Sequence, residues 1–326
     1  MIWHPLILAV LVCDALSLLL VLSSVGVVLQ VILNWDETSS SEGQLKLESR
    51  FEAALLQNMM AFALFSAATF LMIYSLSSVL HHAIPGAMCG TGVMEAMGSH
   101  GKRFLITRLL TLTVFYIAFV FFQNSRSVPL GGKQVTTAKV LALILPVLVL
   151  SLIESFQAYQ QIDFSAPVDC CSALLDRINT SASASWIGAE QWPPALTSWG
   201  SPCCALALTG IWTFFKKARW TLIPTVALWI LCSYALLIHH LLPYHYGVLE
   251  HHCHWCVFDA KYHFQGYVVF GSMLYVLWVV LRVLLQEKVW CKTQPVKHLL
   301  YPLMAFYVFS SWPALWWYLT SGTWLQ

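Results

Sequence analysis

The sequence predicts an all-α integral membrane protein of about eight transmembrane helices. Composition is the first reason: of 326 residues, 59% are hydrophobic and only 10% charged, against about 25% charged in a soluble domain. Mean hydropathy is +0.70. The second reason is the recurrence of apolar runs of at least about 17–20 residues, each long enough to cross a bilayer as a helix. No run alternates like a barrel strand, and Trp and Tyr gather at run ends, as interface anchors do. A net charge of +2 gives no reason to invoke nucleic acid, and the expected surroundings are the lipid bilayer.

The runs fall at about 6–33, 53–80, 104–123, 138–160, 197–215, 220–242, 265–286 and 299–320. The first has no Lys or Arg before it and is too long for a signal sequence, so it is read as a retained helix. It carries Asp14, an acid inside a span and therefore a candidate relay or gating group. Residues 34–52 are polar and read as a solvated linker. The second run ends in His81-His82, followed by Met88, Cys89, Met94, Met97 and His100 in a glycine-rich stretch. The third and fourth are joined by a short basic loop, with Glu154 in the outer part of the fourth. A long loop holds the vicinal pair Cys170-Cys171, and the fifth run opens on a second, Cys203-Cys204. The sixth ends in His239-His240.

Two four-helix membrane halves, 1–160 and 197–326, separated by a loop over 161–196, describe this layout. The phrases HHAIP (81–85) and HHLLP (239–243) sit at the second helix of each half. Four helices per half preserve orientation, so a duplication would be parallel.

Lys and Arg counts orient the chain. With both termini outside, the cytoplasmic loops and adjoining helix ends hold Lys46, Arg50, Arg126, Lys133, Lys139, Lys216, Lys217, Arg219, Arg282, Lys288, Lys292 and Lys297. The opposite side holds Lys102, Arg103, Arg108, Arg177 and Lys261. The even-numbered loops then face outward, into the periplasm if the membrane is a bacterial inner membrane.

The richest chemistry lies in one of those loops, His251-His252-Cys253-His254-Trp255-Cys256. Thiolate and neutral imidazole both bind soft or borderline metals, and a C-x-x-C also closes a disulfide. Thioether, thiol and imidazole together suit Cu(I). The candidate metal set is therefore Cys253, Cys256 and Cys89, with His251, His252 or His254, Met88 and the His81, His82, His239 and His240 pairs nearby. Copper is expected, with zinc as the alternative, and the partner is a periplasmic metal carrier.

Three other readings stay open. Thiol–disulfide exchange would use Cys253 and Cys256 with Cys170, Cys171, Cys203 or Cys204 and a thiol carrier. Haem b would be held by His81 or His82 opposite His239 or His240. The chain would otherwise be a scaffold subunit of a larger membrane complex. The sequence contains no GxGxxG after a strand, Walker loop, GxSxG or HExxH, so no familiar enzyme signature applies.

Overall fold

The inside-out patterning of the first helix shows what kind of core this chain builds. In α1 (Pro5–Asn34) the buried positions are Ile7, Val10, Asp14, Ser17, Val21, Ser24, Val28 and Val31, repeating at alternating steps of three and four. Leu8, Val12, Leu16, Leu19, Leu22 and Leu29 are exposed between them. Leucine outward with acid and hydroxyls inward is the reverse of a water-facing helix, and it suits lipid, where small and polar groups hold helices together. The computed structural model describes residues 4–36, 42–126, 134–162, 168, 194–214, 220–248, 251–285 and 297–325, and they contain helices and turns but no strand. Cys170, Cys171 and Cys291 lie outside the described residues.

Six helices are long and apolar enough to cross a membrane: α1, α2 (Glu42–Ser78), α4 up to Gln123 (Ser99–Arg126), α5 (Gln134–Gln161), α7 (Leu222–Tyr246) and α8 (Gln265–Leu285). Between α2 and α4 lies the short α3 (Gly90–Ala96). The fifth and eighth expected spans form helices of 21 and 25 residues, α6 (Pro194–Phe214) and α9 (Lys297–Ser321), but neither is among the six. Helix α6 carries Pro202 within it, while Pro302, Pro313 and a concentration of Trp and Tyr dilute α9. Residues 42–52, expected as linker, instead begin α2. Their exposed turn carries a Glu42–Lys46 pair at 2.7 Å, an i,i+4 arrangement that supports a helix in water by a few tenths of a kcal/mol.

The residues divide into two compact units, 1–87 with 92–168, and 88–91 with 169–326. In the first, α1 packs on α2, α2 on α4, α4 on α5 and α5 back on α1. Polar groups stitch the seams: Asn58 Nδ2 donates to Ser24 Oγ at 2.8 Å, and Ser17 Oγ donates to the Ala61 carbonyl at 3.2 Å. Arg108, expected near the outer helix end, is fully buried in α4 and grips Asp14 through both carboxylate oxygens, at 2.7 and 2.9 Å. It therefore belongs to the bundle interior and leaves the outward charge count.

In the second unit, α6 packs on α7, α7 on α8, α8 on α9, and α9 returns to α6. A polar knot sits among these helices, with Ser201 Oγ 2.7 Å from both Ser233 Oγ and Tyr307 Oη, and Trp229 Nε1 donating to Tyr307 Oη at 3.2 Å. Tyr307→Phe removes the hub of that knot. It is expected to lower stability by about 1–3 kcal/mol, because buried partners lose their bonds, and thermal unfolding in detergent measures it.

Candidate metal centre

Within α7 the winding changes where the sequence reads Leu-Ile-His-His-Leu-Leu-Pro. Residues Leu237–Leu241 form a π turn, and Leu242 N–H reaches back to the Leu237 carbonyl. Pro243 has no N–H to offer the next carbonyl, Ile238. That oxygen instead accepts from His252 Nδ1 at 2.8 Å, so the loop after α7 is pinned to the π turn. Helix α7 then ends at Gly247, whose φ of +67° is the left-handed conformation that glycine adopts without a Cβ penalty.

Tyr246 carries the rest of the loop. Its hydroxyl donates to the Cys253 carbonyl, and its ring meets His251 edge-on at 4.3 Å and Tyr262 at 4.8 Å. A 3-10 turn over Cys256–Phe258 follows, and Asp259 caps the next turn by accepting from Lys261 N–H at 2.8 Å. Trp255 is buried under this loop, 5.8 Å from the Phe258 ring.

Against Trp255 lies the segment 88–91, which belongs to the second unit. A Cβ on Gly90 would stand 2.7 Å from Trp255 Cε3, so only glycine allows this approach. The result is a cluster of three thiols. Cys89 Sγ is 3.2 Å from Cys253 Sγ, and Cys89, Cys253 and Cys256 have all their sulfurs within 4.8 Å of one another. Three thiolates on one metal at about 2.3 Å stand about 3.8 Å apart, inside that range. Cys89 and Cys256 are buried, Cys253 half-buried. His251 Nε2 lies 3.3 Å from Cys256 Sγ, close enough to supply a nitrogen.

The electrostatics favour one thiolate before any metal arrives. Hydrogen bonds from Cys256, Cys89, Thr91 and the Trp255 N–H hold the Cys253 thiol well below its usual value, against the opposing pull of burial. Thr91 Oγ1 is 3.2 Å from that sulfur. Cys256 is pushed up, chiefly because its hydrogen bond goes to Cys253. A thiolate that accepts from neighbouring thiols is an anion ready for a cation.

The other expected residues are placed elsewhere. His254 is 3.4 Å from Tyr234 Oη through Nδ1, and burial lowers its pKa to about 4, so it stays neutral. Met88 is exposed. The His81 and His82 rings lie 3.9 Å apart at a 38° tilt in the first unit, while His239 and His240 belong to the second; neither arrangement adds support for haem b. Cys203 is exposed and Cys204 lies against Cys232. Asp14 pairs with Arg108, and Glu154 with His100 at 2.7 Å. Sequence reasoning missed Thr91, Gly90 and Tyr246 as supports. The glycines flanking Thr91 in Cys-Gly-Thr-Gly were the available signal.

Comparison with family models, with curated proteins and with solved structures finds no match. The geometry alone carries the reading.

Proposed function

We propose that this chain is a polytopic membrane protein that holds a soft metal ion on Cys89, Cys253 and Cys256, with His251 as the nitrogen ligand, for acquisition or transfer of that ion. One observation carries the reading: Cys89 meets the C-x-x-C from 164 residues away. Copper(I) is the preferred ion, because three thiolates satisfy it, and zinc is second, because Cys₃His is a common tetrahedral set. In this reading α6 and α9 cross the bilayer with the six apolar helices, both termini lie outside, and the cluster faces the periplasm of a bacterial inner membrane. The matching ring of helix neighbours in the two units supports two four-helix halves. A metal carrier outside the membrane is the partner.

The test is metal analysis of detergent-purified full-length protein, followed by anaerobic Cu(I) and Zn²⁺ titration against a competing chelator. About one equivalent of Cu(I) per chain is expected at the thiol cluster. Cys89→Ser, Cys253→Ser, Cys256→Ser in combination abolishes the thiolate-bound Cu(I), and His251→Gln weakens it by about 10–100-fold or more, the range lost when even supporting groups of metal sites are removed. The 3.2 Å contact between Cys89 and Cys253 also favours a second reading, thiol–disulfide exchange. Protein without metal, with Cys253 recovered in a reducible disulfide, would overturn the metal reading and leave that one standing.

A further inference from the structure

The π turn does more than pin a loop. With His252 Nδ1 donating to the Ile238 carbonyl at 2.8 Å, the tautomer is set, and Nε2 carries the ring's lone pair. A backbone carbonyl on the far nitrogen is the usual support of a metal-ligating histidine. The His239 ring, on the π turn itself, lies 6.0 Å from the His252 ring. Two imidazoles sharing an ion at about 2.0–2.1 Å per nitrogen have ring centres about 5–6 Å apart. Short π segments inside α-helices recur at functional sites, because the extra residue re-aims side chains.

We propose that His239 and His252 form a second metal station, an imidazole pair for a borderline divalent ion, one residue step from the thiolate cluster. Cys253 directly follows His252, so consecutive side chains serve the two stations and an ion can pass between nitrogen and sulfur without leaving the loop. Binding at the imidazole pair stands on its own geometry; passage to the thiols rests on the metal reading proposed above.

The test separates them. The full-length chain carrying Cys89→Ser, Cys253→Ser and Cys256→Ser is titrated with Zn²⁺ against a chromogenic chelator, and Cu²⁺ bound to it is examined by electron paramagnetic resonance. One Zn²⁺ site is expected to remain, with nitrogen splitting in the Cu²⁺ spectrum. Adding His239→Gln or His252→Asn weakens that site by about 10-fold or more and removes the splitting, whereas the exposed His263→Gln does neither. Asparagine at 252 still presents an N–H donor for the Ile238 carbonyl while removing the ligating nitrogen, so the loop keeps its anchor. Zn²⁺ affinity unchanged by both substitutions overturns the station. Failure of the thiol cluster to bind metal in the unmodified protein leaves this titration unaffected and overturns only the passage between stations.

Discussion

Arg108→Leu is expected to destabilise the protein by about 3–5 kcal/mol, the cost of leaving one member of a buried ion pair alone. Arg108 is fully buried, and its guanidinium reaches three other helices at once. It holds Asp14 of α1 through two oxygens, Thr69 of α2 at 3.1 Å and Ser155 of α5 at 3.2 Å. Its charge also lies 4.6 Å from the centre of the Phe65 ring, a cation–π contact that strengthens away from water. Removing it strands the Asp14 carboxylate among apolar side chains. Asp14→Leu should cost a similar amount by stranding the guanidinium. The double variant should recover much of the loss, because well-packed apolar residues often replace a buried pair with little penalty. A double-mutant cycle on thermal or denaturant unfolding in detergent measures the coupling. Additive losses would show that the two residues act separately and sink this account.

Gly90→Ala is expected to damage the thiol cluster without touching any sulfur. The added methyl would sit 2.7 Å from Cε3 and 2.9 Å from Cδ2 of the buried Trp255 indole. Overpacking of this kind costs about 1–3 kcal/mol, and the cheapest relief is withdrawal of the segment bearing Cys89 and Thr91. Metal affinity should then fall by about 10–100-fold, as when support is removed behind a ligand, and Gly90→Val should be worse. Gly271→Ala is the matched control, since nothing lies within 4 Å of its added carbon. Equal metal affinity in Gly90→Ala and Gly271→Ala would refute the role given to the Trp255 contact.

Run length and composition made most of the helices legible, because a membrane span must satisfy its backbone within one continuous apolar segment. The beginning of α2 was not: residues 42–52 are helical through local charge pairing and continuity with the apolar run, and a polar stretch looks the same whether coiled or helical. Arg108 was misplaced because a basic residue close to a run end reads as an interface charge. Only the partner's position, 94 residues earlier at Asp14, shows that the charge is neutralised inside. At the site, the C-x-x-C and Cys89 each stood out by residue type, and their predicted common membrane face brought them into one hypothesis. Their contact depends on a glycine meeting an indole, which no spacing rule encodes. The π turn was legible only in hindsight, through a proline placed where the i→i+5 pattern needs an N–H.

The separation in sequence between Cys89 and its two companions also sets a timetable for synthesis. Residues 88–91 belong with the second unit, yet the ribosome delivers them with the first. Cys253 follows 164 residues later, which at about 5–20 residues per second is a wait of about 8–33 s. Throughout that interval Cys89 is a nascent-chain thiol whose final neighbours do not yet exist. The order of events in biogenesis is therefore imposed by chain topology: the first unit can assemble early, while the cluster closes only after α7 and its following loop have emerged.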